Sequence, residues 1–246
     1  MNMHKQILTQ NACYKAGKTI TPKGIMVHST GANNPWLKRY VGPDDGLLGV
    51  NAAGTHWNTP LPGGQQVCVH AFIGKLKDGS IATYQTLPWN MRGWHCGGQA
   101  NNTHIGFEIC EDGLTDPAYF SAVYKEAVEL CVYLCKLYGL TERDIICHSE
   151  GAAMGIASNH ADVMHWFPRH GKSMDMFRAA VKEKRSEREE PVMDNTPAAW
   201  AKGAVEWATS LGVIKGDNNG DLRLGSPLTR EEFCVMLKRY NEIKNK

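Results

Sequence analysis

The strongest structural signal in the chain is a helical pattern of apolar residues between Asp116 and Gly139. Apolar side chains recur there at steps of three and four residues, which is the spacing of one helix face. They are Phe120, Val123, Tyr124, Ala127, Val128, Cys131, Leu134, Cys135 and Tyr138. Asp116 supplies an N-cap, Pro117 suits a first turn, and Gly139 interrupts the pattern. The sequence therefore predicts a long helix whose broad apolar face packs on another layer.

Short apolar runs on both sides of this helix supply that layer. They cover residues 24–28, 67–74, 81–87, 105–110 and 145–148, and each is bounded by Gly, Pro, Asp or Asn. Such bounded runs are typical of β-strands. Strands alternating with a broad helix predict an α/β fold with a central mixed β-sheet flanked by helices. The stretch from 33 to 66 is rich in Gly, Pro, Asn and Asp and is expected to be a loop that lines a site.

The composition changes sharply at 182–191, KEKRSEREEP, where both charge signs are dense and no apolar residue precedes the proline. A segment of this kind is a solvated helix end or a linker. We therefore predict a main domain at 1–181, a charged linker at 182–194 and a small α-helical unit at 195–246. A length of 246 residues suits a main domain with a small appendage.

The C-terminal unit is predicted to hold two helices joined by a turn. The first helix ends at Gly212, and the second begins at Thr229 with Glu232 three residues later, which is a capping box. The acidic turn at 216–221 lacks the downstream Glu of a calcium-binding loop, so we expect a structural turn. So small a unit has a thin core and is expected to lean on a partner or on the main domain.

Charge and cysteine usage exclude several classes of protein. The chain has 27 basic and 25 acidic residues, a net charge of +2, so nucleic acid is not expected as a main partner. No apolar run is long enough for a signal peptide or a membrane span, so we expect synthesis in the cytoplasm with reduced thiols. The eight cysteines form no CxxC pair, so the main sequence signal for a zinc-ribbon fold is missing. Buried free thiols are favoured over a disulfide framework.

Polar residues at the ends of predicted strands are the first candidates for chemistry. His28 closes one strand, His148 closes another, and Glu108 lies within a third. Together with Asp162, the two imidazoles make the ligand set of an open catalytic zinc site, whose free position activates water. A carboxylate such as Glu108 beside that water can shuttle a proton, the alternative being a structural salt bridge.

Five segments in series carry a resemblance to a known family. They are GIMVHSTGAN, VHAFIGKLKDGSIATYQTLP, WHCGGQANNTHIGFEIC, ICHSEG and NHADVMHWF. In order and approximate spacing they resemble the zinc-dependent type-2 N-acetylmuramoyl-L-alanine amidases, relatives of the peptidoglycan recognition proteins. The resemblance spans roughly residues 20 to 180. It implies a Zn²⁺ cofactor and bacterial peptidoglycan as substrate.

The resemblance assigns roles to several of these residues. His28 matches the family's first histidine ligand, His148 matches the second, and Glu108 matches a catalytic glutamate in an I-G-x-E strand. Two neighbouring carboxylates, Glu111 and Glu150, lie past a strand end and in a turn, and are expected on the solvated surface.

The third ligand lies in a segment that departs from the family pattern. Asp162 matches the family's Asp or Cys, but Val163-Met164 stands where Pro-Gly is usual. His160 stands where many members carry a lysine or threonine that stabilises the developing oxyanion. Asp162 is the favoured third ligand, with His165 or His160 as alternatives.

The resemblance also indicates residues of a substrate groove. His70 matches a groove-lining S-x-H position, and Trp94-His95 matches a W-H-A-G turn at the groove edge. For the two histidines, substrate contact and structural packing remain open. Trp36, Trp57 and Trp94 are placed in loops, where they would either stack on a sugar ring or pin the loops.

The C-terminal unit resembles one S-layer homology motif, through AVEWATSLGVIKGDNNGDLRLGSPLTREEFCVMLKR. Such motifs usually occur in threes and anchor proteins to secondary polymers of the bacterial wall. A single copy implies wall-polymer binding or assembly into a homo-oligomer.

Together these features predict a bacteriolytic peptidoglycan hydrolase that cleaves the amide between N-acetylmuramic acid and L-alanine of the stem peptide. The two-part layout without a leader favours a phage or prophage endolysin that acts on the cell wall after release from the cytoplasm, with no role for a membrane as partner. The alternative is a non-catalytic peptidoglycan-binding protein of the same fold.

Overall fold

The computed structural model describes residues 1–186, 195–218 and 220–245. The strands are β1 (Met3–Lys5), β2 (Gly24–Asn33), β3 (Ala71–Lys75), β4 (Ile81–Gln85), β5 (His104–Glu111) and β6 (Ile145–Cys147). The helices are α1 (Ala12–Lys15), α2 (Pro117–Tyr138), α3 (His148–Ala153), α4 (Met174–Ser186), α5 (Lys202–Ser210) and α6 (Arg230–Lys244). Short 3-10 turns connect them, including Leu37–Arg39, Gln99–Asn102, Asp162–His165 and Phe167–His170.

The strands form one six-stranded sheet in the order β1-β4-β3-β5-β2-β6. Neighbouring strands are parallel except β3 and β4, which are antiparallel. The predicted α/β fold with a central mixed sheet flanked by helices is confirmed. Strand β1 was not predicted, because its three residues carry no apolar pattern and it is held at the sheet edge only by pairing with β4.

Helix α2 forms where the sequence predicts it. The Asp116 side chain accepts hydrogen bonds from the backbone N–H groups of Ala118 and Tyr119, and Gly139 ends the helix with φ 67°, a conformation that costs glycine little. The apolar face of α2 packs on the sheet and on the segment after Asp162, where Phe120 contacts Trp166 edge to face at 5.4 Å. The main core therefore lies between α2 and the sheet.

The other face of the sheet carries a second cluster of buried residues. Side chains alternate between faces along a strand, so Ala71 and Ile73 join the α2 core while Phe72 joins the opposite cluster. Leu37 and Tyr40 from the predicted 33–66 loop cover Phe72 there. Alternation therefore separates a face that packs under α2 from a face covered by loops.

The chain divides into two compact units, Met1–Glu187 and Arg188–Lys246. Helix α4 continues to Ser186, within the stretch predicted as a linker, and residues 187–194 lie outside the described part of the chain. The boundaries 1–181, 182–194 and 195–246 therefore stay predictions.

The second unit contains α5 and α6. The predicted capping box opens α6, since the Glu232 N–H donates to Thr229 Oγ1 at 3.1 Å and the Thr229 N–H donates to Glu232 Oε2 at 2.8 Å. In the acidic turn the Asp221 N–H donates to Asp217 Oδ1, as expected of a structural turn.

All eight cysteines are free, and all except Cys234 are buried. The cysteines act as small core residues, as the apolar runs around most of them predict, and Cys234 on α6 is the exception. None of the helices in the described residues is both long and apolar enough to cross a membrane.

Candidate active site

The site forms on the loop-covered face of the sheet, where β2, β5 and β3 place three side chains in a row. The register pairs His28 with Glu108 and Glu108 with Phe72, and paired residues of adjacent strands point to the same face. A cavity of about 480 Å³, which we call the groove, opens over His28 and Glu108. Its other lining residues include Trp94, His95, His148, Ser158, His160 and Asp162.

His148 and Asp162 reach His28 from two separate segments. Strand β6 pairs with β2, and His148 follows β6 directly as the first residue of α3. Asp162 begins a 3-10 turn that packs against β2, and its backbone has φ 42°. A non-glycine residue at positive φ costs backbone energy, and such residues concentrate at functional sites.

The three side chains converge on one point. Asp162 Oδ2 lies 2.9 Å from His28 Nδ1 and 2.7 Å from His148 Nδ1. Ligand atoms of the three residues all lie within 4.8 Å of one another. His28 and His148 are buried and Asp162 is half-buried, so one small cation would touch all three.

The outer hydrogen bond of His28 fixes its tautomer. His95 Nε2 lies 3.2 Å from the carbonyl oxygen of His104, so this nitrogen carries the proton and donates. His95 Nδ1 is then the acceptor for His28 Nε2–H at 3.0 Å. The remaining nitrogen, His28 Nδ1, presents its lone pair to Asp162. Gly106 makes room for this arrangement, since a Cβ there would lie 2.5 Å from the His95 ring.

The tautomer of His148 is fixed in the same way. The Ser158 hydroxyl donates to the carbonyl oxygen of Cys96 at 3.1 Å, which leaves Ser158 Oγ to accept from His148 Nε2–H at 3.2 Å. His148 Nδ1 therefore also presents a lone pair to Asp162 Oδ2.

Three electron-rich atoms thus face one another without a donor among them. A proton or a metal cation must lie between them to make the arrangement favourable. Burial lowers the pKa of His28 and so disfavours the extra proton, although Asp162 opposes that shift. When the proton that lies between these atoms is on a histidine, its hydrogen bond to Asp162 outweighs the burial that opposes ionisation, and the pKa of Asp162 falls below its usual range. The donor set therefore fits a divalent metal ion.

Glu108 lies beside this group with an unsatisfied oxygen. Its Oε2 atom is buried and has no hydrogen-bond partner among the described residues. Burial, and then the negative charges of Asp162 and Glu111, raise the pKa of Glu108 well above its usual value. Buried carboxylate oxygens are normally bonded, so this oxygen is available to a water molecule or a substrate.

Two further predicted residues line the groove at its surface. The exposed His160 ring stacks on His148 with centroids 4.8 Å apart. Trp94 is 38% exposed, and the Arg92 guanidinium lies 4.9 Å from its ring centroid. Both side chains are placed where a substrate can reach them.

His70 is placed differently from the expected groove contact. It is fully buried, the Gly106 N–H donates to its Nδ1 at 3.0 Å, and its Nε2–H donates to the Met91 carbonyl at 2.7 Å. Both ring nitrogens are occupied by the backbone, so no atom is left for a substrate. Of the two open interpretations, the geometry favours packing. Trp36 likewise pairs with Lys75 and is not among the groove-lining residues.

The surface placement of Glu111 was wrong, whereas the Glu150 side chain is one-third exposed. Glu111 is 4% exposed, accepts from the Gly31 N–H at 3.1 Å and lies 3.0 Å from His165 Nε2. His165, an alternative third ligand, is therefore engaged by Glu111 and not by the two histidines. Glu150 forms a bidentate pair with Arg178 and is half-buried. Each carboxylate contacts a basic side chain that lies far away in sequence.

Sequence reasoning missed the residues that orient the candidate ligands. Ser158 was not singled out, and His95 was considered only as a groove or packing residue. No local pattern marks either one, because each acts through a partner distant in sequence. Gly106 within an apolar strand was the only available signal of a close approach.

A family model described as N-acetylmuramoyl-L-alanine amidase matches residues 18–166, more than half of the chain. The chain belongs to this family. The predicted activity, hydrolysis of the amide that joins N-acetylmuramic acid to the peptidoglycan stem, is thereby confirmed. An S-layer homology domain model matches residues 193–234 of this amidase. The resemblance of the C-terminal unit to an S-layer homology motif predicts this match. No curated protein matches.

Solved structures share the fold of the amidase. PlyL matches with 21% identity and a TM-score of 0.54, over 74% of this chain and 98% of that chain. The catalytic domain of XlyA matches with 23% identity and a TM-score of 0.51, over 74% and 99%. The hydrolase AmiA of Staphylococcus aureus, solved with its ligand, matches with 20% identity and a TM-score of 0.54, over 75% and 83%.

Proposed function

We propose that this amidase is zinc-dependent and that His28 Nδ1, His148 Nδ1 and Asp162 hold the metal. The observation that carries the proposal is the convergence of two imidazole Nδ1 atoms on the Asp162 carboxylate at 2.9 and 2.7 Å. Two neutral imidazoles and one carboxylate are the ligand set of open catalytic zinc sites. Bonds from the far ring nitrogens to His95 and Ser158 supply the outer support that such ligands need.

Zinc bound there supplies a Lewis acid for the substrate carbonyl and lowers the pKa of a water molecule. Glu108 is the proposed proton carrier, since its free Oε2 lies in the same row as His28. It takes a proton as water attacks the carbonyl carbon and returns it to the nitrogen of the leaving L-alanine. The burial that raises the pKa of Glu108 favours its protonated form, which suits the second step.

His160 and Trp94 are the proposed substrate-contacting residues. The exposed His160 ring beside His148 can donate an N–H to the developing oxyanion. Trp94 offers an exposed aromatic face at the groove edge. We assign His95 a positioning role, because its Nδ1 is used by His28.

We also propose that the protein is a phage or prophage endolysin, which the shared fold with PlyL and XlyA supports. The C-terminal unit is proposed to bind a secondary wall polymer or to assemble copies of the chain, since an S-layer homology model matches it. The segment 182–194 is proposed as the linker between the two parts.

Single variants of Glu108 and of the three ligands test the site. Glu108→Gln is expected to abolish lysis of purified walls while wall binding and one equivalent of zinc are retained. His28→Ala, His148→Ala and Asp162→Ala are each expected to lose zinc as well. Glu142→Gln, a carboxylate paired with Arg185, is the matched control and should lyse walls normally.

Three outcomes would contradict this assignment. Unchanged lysis by Glu108→Gln would show that Glu108 takes no part in the reaction. A wild-type protein that binds walls but releases no new L-alanine amino termini would support the non-catalytic alternative. Zinc retained in Asp162→Ala but lost in His165→Ala would transfer the third ligand to His165.

A further inference from the structure

We propose that Tyr40 is a further substrate-binding residue of this amidase, whose hydroxyl donates a hydrogen bond to a carbonyl oxygen of the bound muramoyl peptide. The inference rests on the proposed function of the groove, and it extends the groove to the side of Glu108 that faces away from the metal ligands. Three independent features of Tyr40 carry it.

The first feature is position. The register aligns His28, Glu108 and Phe72 across three adjacent strands, with Glu108 in the middle. Tyr40 stacks on Phe72 with ring centroids 5.0 Å apart and an interplanar angle of 12°. Tyr40 therefore lies on the Phe72 side of Glu108, opposite His28, and both Tyr40 and His28 line the groove.

The second feature is rigidity. Tyr40 follows the 3-10 turn Leu37–Arg39, and its own N–H donates to the Leu37 carbonyl. The edge of Trp57 packs against both Tyr40 and Phe72, at 6.2 and 5.0 Å between centroids. An aromatic ring fixed by two neighbours presents its hydroxyl at a defined point and loses little entropy when a ligand binds.

The third feature is an unsatisfied hydroxyl. Tyr40 is 5% exposed, and its Oη atom makes no hydrogen bond of ordinary geometry within the described ranges of the chain, although the Thr30 hydroxyl lies near enough to act on its pKa. Ser29 Oγ and Glu108 Oε2, also from groove-lining residues, share this property. Buried polar atoms are nearly always bonded, so three unsatisfied atoms around one cavity indicate that water or a polar ligand occupies it.

The chemistry of the hydroxyl limits its role to donation. Burial, and then the neighbouring Cys110, raise the pKa of Tyr40 above its ordinary value. The phenol therefore keeps its proton whenever the enzyme works, and it does not act as a base. Carbonyl oxygens are the acceptors that a muramoyl peptide offers in greatest number.

Tyr84 provides a matched control within the same apolar cluster. Its hydroxyl donates to Asp45 Oδ2 at 2.6 Å, so it has a partner, and Tyr84 is not among the groove-lining residues. Removal of a bonded hydroxyl destabilises a fold, whereas removal of an unsatisfied one is neutral or stabilising. The two Tyr→Phe variants therefore have opposite expected effects.

The test measures hydrolysis of a soluble muramoyl peptide and thermal unfolding for Y40F and Y84F in the full chain. We expect Y40F to lower kcat/KM about tenfold without lowering Tm, and Y84F to lower Tm with kcat/KM within about twofold of wild type. In the inactive Glu108→Gln background, Y40F should weaken the Kd for the same peptide by a similar factor. This binding measurement separates substrate contact from an indirect effect on the reaction.

A Y40F variant with kcat/KM and Kd within about twofold of its parent would overturn the proposal. A Y40F variant that loses Tm as Y84F does would also overturn it, because its hydroxyl would then be structural. If the wild-type protein does not hydrolyse the peptide at all, the proposed function itself fails, and that result is distinguishable from the other two.

Discussion

Substitution of Glu111 by alanine removes the side chain that connects strand β2 to the turn bearing Asp162. Glu111 Oε1 accepts from the Gly31 N–H at 3.1 Å and lies 3.0 Å from His165 Nε2. A hydrogen bond to a charged group contributes about 1.5–3 kcal/mol, and the lower value applies because Gly31 is exposed. The His165 side chain is one-third exposed, so its contact with Glu111 adds at most about 1 kcal/mol. We expect the free energy of unfolding to fall by about 2 kcal/mol.

A second effect should appear at the proposed metal ligands. His165 closes the 3-10 turn that Asp162 opens, and Asp162 has φ 42°. Without Glu111 this turn loses one of the contacts that hold it, and the strained backbone at Asp162 is freer to relax. Loss of an outer support typically weakens metal binding by about 10- to 100-fold. Glu111→Ala should therefore raise the Kd for zinc by an amount in this range.

Calorimetric unfolding measures the first effect, and competition with a chelating dye measures the second. A loss of about 2 kcal/mol corresponds to a fall in Tm of about 4–8 °C for a unit of this size. Glu111→Gln keeps an oxygen for the Gly31 N–H and should recover most of the stability. Glu206→Ala, which breaks an exposed pair with Lys202, is the surface control and should change little.

The double variant Glu111→Ala/His165→Ala isolates the ion pair. If the pair contributes as reasoned, the double variant should be more stable than the sum of the two single losses predicts. A Glu111→Ala protein whose Tm and zinc Kd both equal those of the wild type would show that Glu111 supports neither the fold nor the metal ligands.

Three further predictions concern the whole molecule. Burial lowers the pKa of His70 to about 4, so acid favours the unfolded chain, in which the pKa is about 6.5. The free energy of unfolding should therefore fall by about 3 kcal/mol between pH 7 and pH 4 through this residue. In His70→Gln this fall should be smaller, and an equal fall would contradict the prediction. A thiol reagent should modify one cysteine rapidly in the native protein, Cys234, and all eight after unfolding; several fast thiols would show that the buried set is accessible. Limited trypsin digestion should cut first within 182–194, where Lys and Arg are dense. A first cut elsewhere would contradict the assignment of this segment as a linker.

The elements that sequence predicts well here are those whose signals are local. Helix α2 begins after Asp116 and ends before Gly139 because a cap, a proline and a glycine mark its ends. Strand β1 carries no such signal, since its three residues become a strand only when β4 is beside them. Strand β3 begins at Ala71, later than predicted, because Cys68 pairs instead with the Trp94 backbone.

The site residues also differ in whether a local sequence signal marks them. His28 and Glu108 were found from their strands, and the register brings them side by side. Glu111 was misplaced because it follows an irregularity in the β2–β5 pairing and because its partner His165 lies 54 positions later. A buried carboxylate is favourable only with such a partner. No residue near Glu111 in sequence indicates that this partner exists.

The orientation of the proposed metal ligands depends on two backbone carbonyls, each reached through one intermediate side chain. His28 donates to His95, which in turn donates to the backbone carbonyl of His104. His148 donates to Ser158, which in turn donates to the backbone carbonyl of Cys96. Each histidine is thus held in one tautomer by a single intermediate side chain fixed to the backbone. The two carbonyls are present whatever residues occupy positions 96 and 104, so only the intermediate side chains must be specified. Two residues, His95 and Ser158, therefore determine whether the ligand nitrogens face Asp162 as lone pairs or as protons.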